Sequence, residues 1–129
     1  MSGNPTALTL EDPLQVDEAR RATRIIAVRR RAAREALREA EEGLAEAERL
    51  YRKARAVAYV VNKGAPSAGM RDAMVDDETA DARYERDVAR GLVNAQSELL
   101  KELDGERASL HRLIDWSMKL DPYAVEGQS

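Results

Sequence analysis

The sequence predicts an all-α protein, a long antiparallel helical hairpin of coiled-coil character with a short helix at its elbow. Three observations carry this. The chain is 35% charged and 4% aromatic with no phenylalanine, a profile of long helices where it carries a period near 3.5. Apolar residues recur at spacings of three and four over two long stretches, and one Gly- and Pro-bearing interruption, "NKGAP" at 62–66, separates them. At 129 residues the chain fits one domain. The expected organisation is an N-terminal tail over 1–11, a single helical-hairpin domain over 12–121 and a C-terminal tail over 122–129.

Asp12-Pro13 reads as a helix start, with Asp12 as cap, Pro13 at the first helical position and Gln15 where a capping box wants Glu or Gln. Nothing then stops the helix until Gly64, a natural C-cap, and Pro66, which forbids continuation. Its stripe is Ile26, Ala33, Leu37, Ala40, Leu44, Ala47, Tyr51, Ala54, Ala58 and Val61, with Arg30 interrupting. About 50 residues would span roughly 75 Å. Half of that stripe is alanine, so a partner helix can approach closely while each contact buries little. Gly43 sits inside the helix at a cost of roughly 1 kcal/mol relative to alanine.

Ser67 can cap a short helix, "AGMRDAMV", ending near the acids at 76–78, where Asp76 or Asp77 would cap a second long helix. The stripe of that helix is Tyr84, Val88, Leu92, Ala95, Leu99, Leu103, Leu110, Leu113 and Leu120, with Ile114 and a packed Trp116 alongside. Asp104-Gly105 is its weak point, where one helix can end and another begin. Asp121-Pro122 stops it. Folded as a hairpin, the chain sets residues 20–38 opposite roughly 103–121, and Met70, Met74 and Val75 over the apolar "AVAYVV" at 56–61. Two helices alone bury little, which predicts self-association, a dimer forming a four-helix bundle being the simplest form.

Composition removes whole classes of function. Without cysteine there is no disulfide framework, thiolate zinc site or thiol nucleophile. The one histidine, His111, reads as a surface or boundary residue. Residues 1–13 lack the basic start and apolar run of a signal peptide, and no stretch approaches the ~18 apolar residues of a membrane span. The expectation is a cytoplasmic protein with no membrane partner, no cofactor, no metal site and no small-molecule substrate. "KGAPSAG" lacks the glycine-lysine-serine pattern of a phosphate loop and follows a helix, and an extended hairpin offers no pocket to pre-organise catalytic carboxylates. A non-enzymatic protein is expected.

The net charge of −3 hides a polarity. Residues 1–64 hold 13 Lys and Arg against 10 Asp and Glu, and residues 65–129 hold 8 against 14. "RRATRIIAVRRRAAREALR", 20–38, holds eight arginines. At 100° per residue from Ile26, Arg20, Arg24, Arg31, Arg34 and Arg38 fall between about 80° and 160°, a ribbon beside the seam. Like charges four apart are mildly destabilising, so something negative should face them. Internal acids are one candidate: Glu35, Glu41, Glu42, Asp104, Glu106 and Asp115. A nucleic-acid backbone is another, since such a row supplies salt-dependent, sequence-independent affinity; an acidic protein is a third. No aromatics interleave to stack bases. The mirror segment, 71–87, has seven acids against three arginines. Its spacing fits no calcium loop, and it reads as helix-start carboxylates, with contact between acidic elbow and basic helix of different molecules as a further option.

Residues 51–85, "YRKARAVAYVVNKGAPSAGMRDAMVDDETADARYE", show a pattern of Tyr51, Lys53, Ala54 and Ala58 at a helix end, a Gly64-x-x-Ser67 turn, and Arg71, Asp72 and Ala73 before an acidic helix. With the late Leu and Trp that follow, this resembles small all-helical proteins encoded by tailed phages and prophages near recombination and replication genes. The resemblance covers residues 51–120 and excludes the arginine-rich first helix. It implies a phage origin and an accessory role in DNA metabolism, and carries no activity with it. The expected function is therefore a self-associating, non-enzymatic phage accessory protein that binds DNA backbone or a recombination protein through Arg20, Arg24, Arg31, Arg34 and Arg38. The rival is a protein-binding adaptor, assembly chaperone or host-factor inhibitor that binds no nucleic acid.

Overall fold

The computed structural model of the chain describes residues 13–120, and these are helical with no strand. Three helices follow in order, α1 (Pro13–Val61), α2 (Ala68–Glu78) and α3 (Ala80–Leu120), and α1 packs against α3 as the expected hairpin. The two tails, the cap at Asp12 and the stop at Asp121-Pro122 lie outside the described residues. Contacts group the chain into two units, Met1–Ala33 with Leu99–Ser129, and Arg34–Glu98.

In the first unit Ile26, Ala33 and Leu103 form the core, with Leu100 and Leu110 packed against it. Arg30 falls on the same face of α1, one turn from each of Ile26 and Ala33. Its side chain is 14% exposed, and its Nε donates to Asp104 Oδ1 at 2.5 Å. The guanidinium thus spans the gap in the stripe and reaches an acid on α3, running in the opposite direction. α3 continues through Asp104-Gly105 without a break. Asp104 is held across the unit by Arg30, so it does not cap a new helix, and one interior glycine costs only about 1 kcal/mol. Trp116 is 54% exposed, so the expectation that it packs is not met.

In the second unit the first stripe holds well: Ala40 and Ala58 are buried and Leu37, Leu44, Ala47, Tyr51 and Ala54 half-buried. Its last member fails. Val61 is exposed and Asn62 is buried in its place, because the Asn62 amide has polar partners there: Nδ2 donates to Ala58 O at 2.8 Å and to Glu78 Oε2 at 3.0 Å. α1 then closes through a turn in which Ala65 N donates to Asn62 O at 3.1 Å. Gly64 has no positive φ, so it is not the left-handed cap its position suggested.

Ser67 caps α2 as expected, its Oγ accepting from Met70 N at 3.1 Å. Asp76 and Asp77 lie within α2 and do not cap α3; Thr79 joins the two helices. Thr79 is buried, its Oγ1 donating to Val75 O at 2.7 Å. Val75 is fully buried while Met70 and Met74 stay largely exposed, so one apolar residue of the three serves the elbow.

The buried pair Val75 and Thr79 also sets which face of α3 turns inward. Steps of three and four from Thr79 reach Ala82, Arg86, Ala89, Val93 and Gln96, all half-buried. The expected stripe is displaced: Tyr84, Val88 and Leu92 are 67%, 50% and 51% exposed. Arg86 occupies an inward position because its guanidinium lies 4.4 Å from the centroid of the Tyr51 ring, where the ring face stabilises the charge.

Candidate nucleic-acid interface

The arginine ribbon divides between the two units. In the first unit Arg20 is half-buried and Arg24 and Arg31 are exposed on α1. None of the three has a carboxylate within ion-pair distance among the described residues, and the same is true of their neighbours Arg21 and Arg29. Of the arginines of α1 in this unit, Arg30, turned into the seam, is the one with an ion pair among the described residues. Ten Lys and Arg stand against six Asp and Glu over residues 13–33 and 99–120, a net charge of +4. The flanking stretches 1–12 and 121–129 add four acids.

The second unit behaves in the opposite way. Arg38 makes a two-pronged contact with Glu35 and reaches Glu42 at 2.7 Å. These contacts hold the Glu35 carboxyl below its ordinary range, the hydrogen bond from Arg38 being the largest cause. Arg49 pairs with Glu46 at 2.7 Å, Arg55 with Asp76 at 2.9 Å, and Arg86 with Asp87 at 3.0 Å. Arg34 is exposed and has no ion pair among the described residues. Of the internal acids proposed as partners, Glu35 and Glu42 do take a ribbon arginine, Arg38, while Asp104 takes Arg30, which lies outside the ribbon.

A cleft of about 430 Å³ opens on the first unit between α1 and α3. Arg20, Thr23 and Arg24 line one side, one helical turn apart, and His111, Ile114 and Asp115 the other. Thr23 is internally satisfied, its Oγ1 donating to Ala19 O at 2.9 Å. Two guanidiniums and an imidazole therefore face the same open space with one carboxylate. The sequence paired Asp115 with the ribbon correctly in register, since the two share a cleft; what the structure adds is that they do not form an ion pair. His111 had no sequence signal beyond lying four residues before Asp115, and the hairpin register brings it to Arg20 and Arg24.

In the acidic elbow Asp72, Asp76 and Glu78 are engaged in structural contacts. Asp76 accepts from Arg55 and lies 3.7 Å from Arg83. The Asp76 carboxyl is held below its usual range, chiefly by the Arg55 hydrogen bond, which outweighs the opposing effect of burial and is aided by the smaller effects of the Arg55 and Arg83 charges. Arg55 also approaches the Tyr51 and Tyr59 hydroxyls at 3.4 and 3.3 Å, and Tyr59 donates to Asp72 at 3.0 Å. These carboxylates fasten α2 to α1, a more specific task than the helix-start role expected for them. No cluster of three or more His, Cys, Asp or Glu that could hold a metal occurs among the described residues, and no described helix is long and apolar enough to cross a membrane.

Comparison with protein-family models, curated proteins and solved structures finds no match to the chain.

Proposed function

We propose that the protein is a non-enzymatic nucleic-acid accessory protein whose first unit grips the phosphate backbone through Arg20, Arg24 and Arg31. The observation that carries this reading is that none of these three has an ion pair among the described residues, beside a second unit in which arginine after arginine is neutralised. Adjacent unpaired guanidiniums repel one another, and a row of phosphates relieves that repulsion while releasing condensed counterions. In the cleft His111 stands beside Arg20 and Arg24 as a further hydrogen-bonding neighbour, with Asp115 on the same wall. With no base-reading element beside them, these contacts favour affinity without sequence preference. The resemblance of residues 51–120 to phage proteins encoded near recombination and replication genes supports the same setting, the cytoplasm of an infected bacterium.

Charge reversal is the test. Arg24→Glu with Arg31→Glu is expected to abolish oligonucleotide binding while the far-ultraviolet circular dichroism spectrum stays that of the wild type, since both side chains are exposed. Undiminished binding by the reversed protein would remove the proposal.

A further inference from the structure

Beyond the phosphate-binding face, the second unit carries an open groove of about 670 Å³ between α1 and α3. Its floor is made of small residues, Ala40, Gly43, Ala47 and Ala89, and its walls of Leu50, Val88 and Leu92. Leu50 comes from α1, and Val88 and Leu92 are the side chains left outward when Thr79 turned α3; each is about half exposed. A floor without large side chains lets a helix backbone come close, and apolar walls suit a stripe at spacings of three and four. The rim is acidic: Glu39, Glu46 and Glu85 line it, and of these only Glu46 has an ion pair among the described residues.

The matching surface lies in the first unit of the same sequence. Ile25 and Val28 are 54% and 62% exposed, and with Ala32 they form an apolar stripe at spacings of three and four. Arg29 lies along its edge and Arg21 one turn before Ile25 at its end, both exposed and without ion pairs among the described residues. A basic-edged apolar helix face and an acid-rimmed apolar groove are complementary in both shape and charge. We infer that the groove of the second unit receives the Arg21–Ala32 face of a second copy of this chain, with Val28 seated toward Gly43 and Arg21 and Arg29 against Glu39 and Glu85. Arg24 and Arg31 lie one turn to either side of Val28, so the assembly is tested without nucleic acid and with variants that leave Arg20, Arg24 and Arg31 in place.

Gly43 supplies a clean test. A Cβ placed there meets nothing within 4 Å in its own chain, so Gly43→Leu fills the groove floor without disturbing the fold, and glycine's removal favours the helix. Sedimentation velocity of the full chain, without nucleic acid, from about 10 to about 200 µM is expected to show reversible association to at least twice the 14.4 kDa chain mass. Gly43→Leu should weaken it about tenfold or more, the loss of one well-packed contact. The charge pattern gives the second arm. Arg21→Glu/Arg29→Glu alone and Glu39→Arg/Glu85→Arg alone should each sediment as monomers, and an equimolar mixture should recover the association. A wild-type monomer across the whole range overturns the inference. So does association that ignores Gly43→Leu, or two charge-reversed proteins that fail to recover when mixed.

Discussion

Replacing Arg30 asks whether the one arginine in the seam is structural while its neighbours are free to bind. The side chain is 14% exposed and its Asp104 partner 51% exposed, so the pair lies at the edge of the core and not deep in it. Asp104→Ala leaves a nearly buried guanidinium without its acceptor, which costs about 1 to 3 kcal/mol. Arg30→Met keeps most of the volume beside Ile26, Ala33 and Leu103, exchanges the charge for apolar surface, and should be neutral or stabilising by about 1 kcal/mol, as such exchanges often are. The double variant should then resemble Arg30→Met, because an aspartate that is half exposed rehydrates freely. The coupling between the two changes is about 1 to 3 kcal/mol, read from urea denaturation followed by circular dichroism and combined as a double-mutant cycle. Equal stability of Asp104→Ala and wild type, or additive effects of the two changes, would refute the reasoning that Arg30 belongs to the fold.

Three further outcomes follow from the elbow and α3. Asn62→Ala removes a buried amide that donates to both Ala58 O and Glu78, and a loss of about 1 to 2 kcal/mol is expected in the same denaturation assay. Asp76 is depressed in the folded protein relative to about 3.9 in an unfolded chain. Its contribution to stability is therefore complete above that value and lost as pH falls through the lower folded value. Melting curves from about pH 6 to about pH 2.5 should accordingly fall less steeply for Asp76→Asn than for wild type. Gly105→Ala should raise stability by about 0.8 to 1 kcal/mol, since a Cβ there meets nothing within 4 Å; destabilisation would mean that α3 does break there.

The hairpin was legible because its signals are local and repeated. Pro13, Ser67 and the spacing of Ile26, Ala33, Ala40 and Ala58 each state a helix start or face without reference to anything distant. The rotation of α3 was not legible. Tyr84, Val88 and Leu92 form a regular apolar stripe, and nothing in their spacing reveals that Val75 and Thr79 would bury themselves at the elbow and turn that stripe outward. Polar residues that pack by finding partners were equally hidden. Asn62 replaces Val61 inside because Ala58 O and Glu78 receive its amide, and Arg86 sits inward because Tyr51 offers a ring face. At the candidate site the ribbon itself was readable from helical periodicity. Which arginines are neutralised was not, since Arg38 finds Glu35 within its own helix while Arg30 finds Asp104 seventy-four residues away. His111 entered the cleft only through the register of the hairpin.

The central claim is that Arg20, Arg24 and Arg31 form a phosphate track, and fluorescence anisotropy of labelled single- and double-stranded oligonucleotides against the wild-type protein tests it most directly. Three phosphate contacts give a slope of log affinity against log salt of about −2.7 on duplex and about −2.1 on single strands. Between about 50 and about 200 mM salt that is a loss of roughly 40-fold and roughly 20-fold respectively. Binding that weakens with these slopes, and alike for unrelated sequences, is the predicted result. No binding to either oligonucleotide at the lowest salt would contradict the claim.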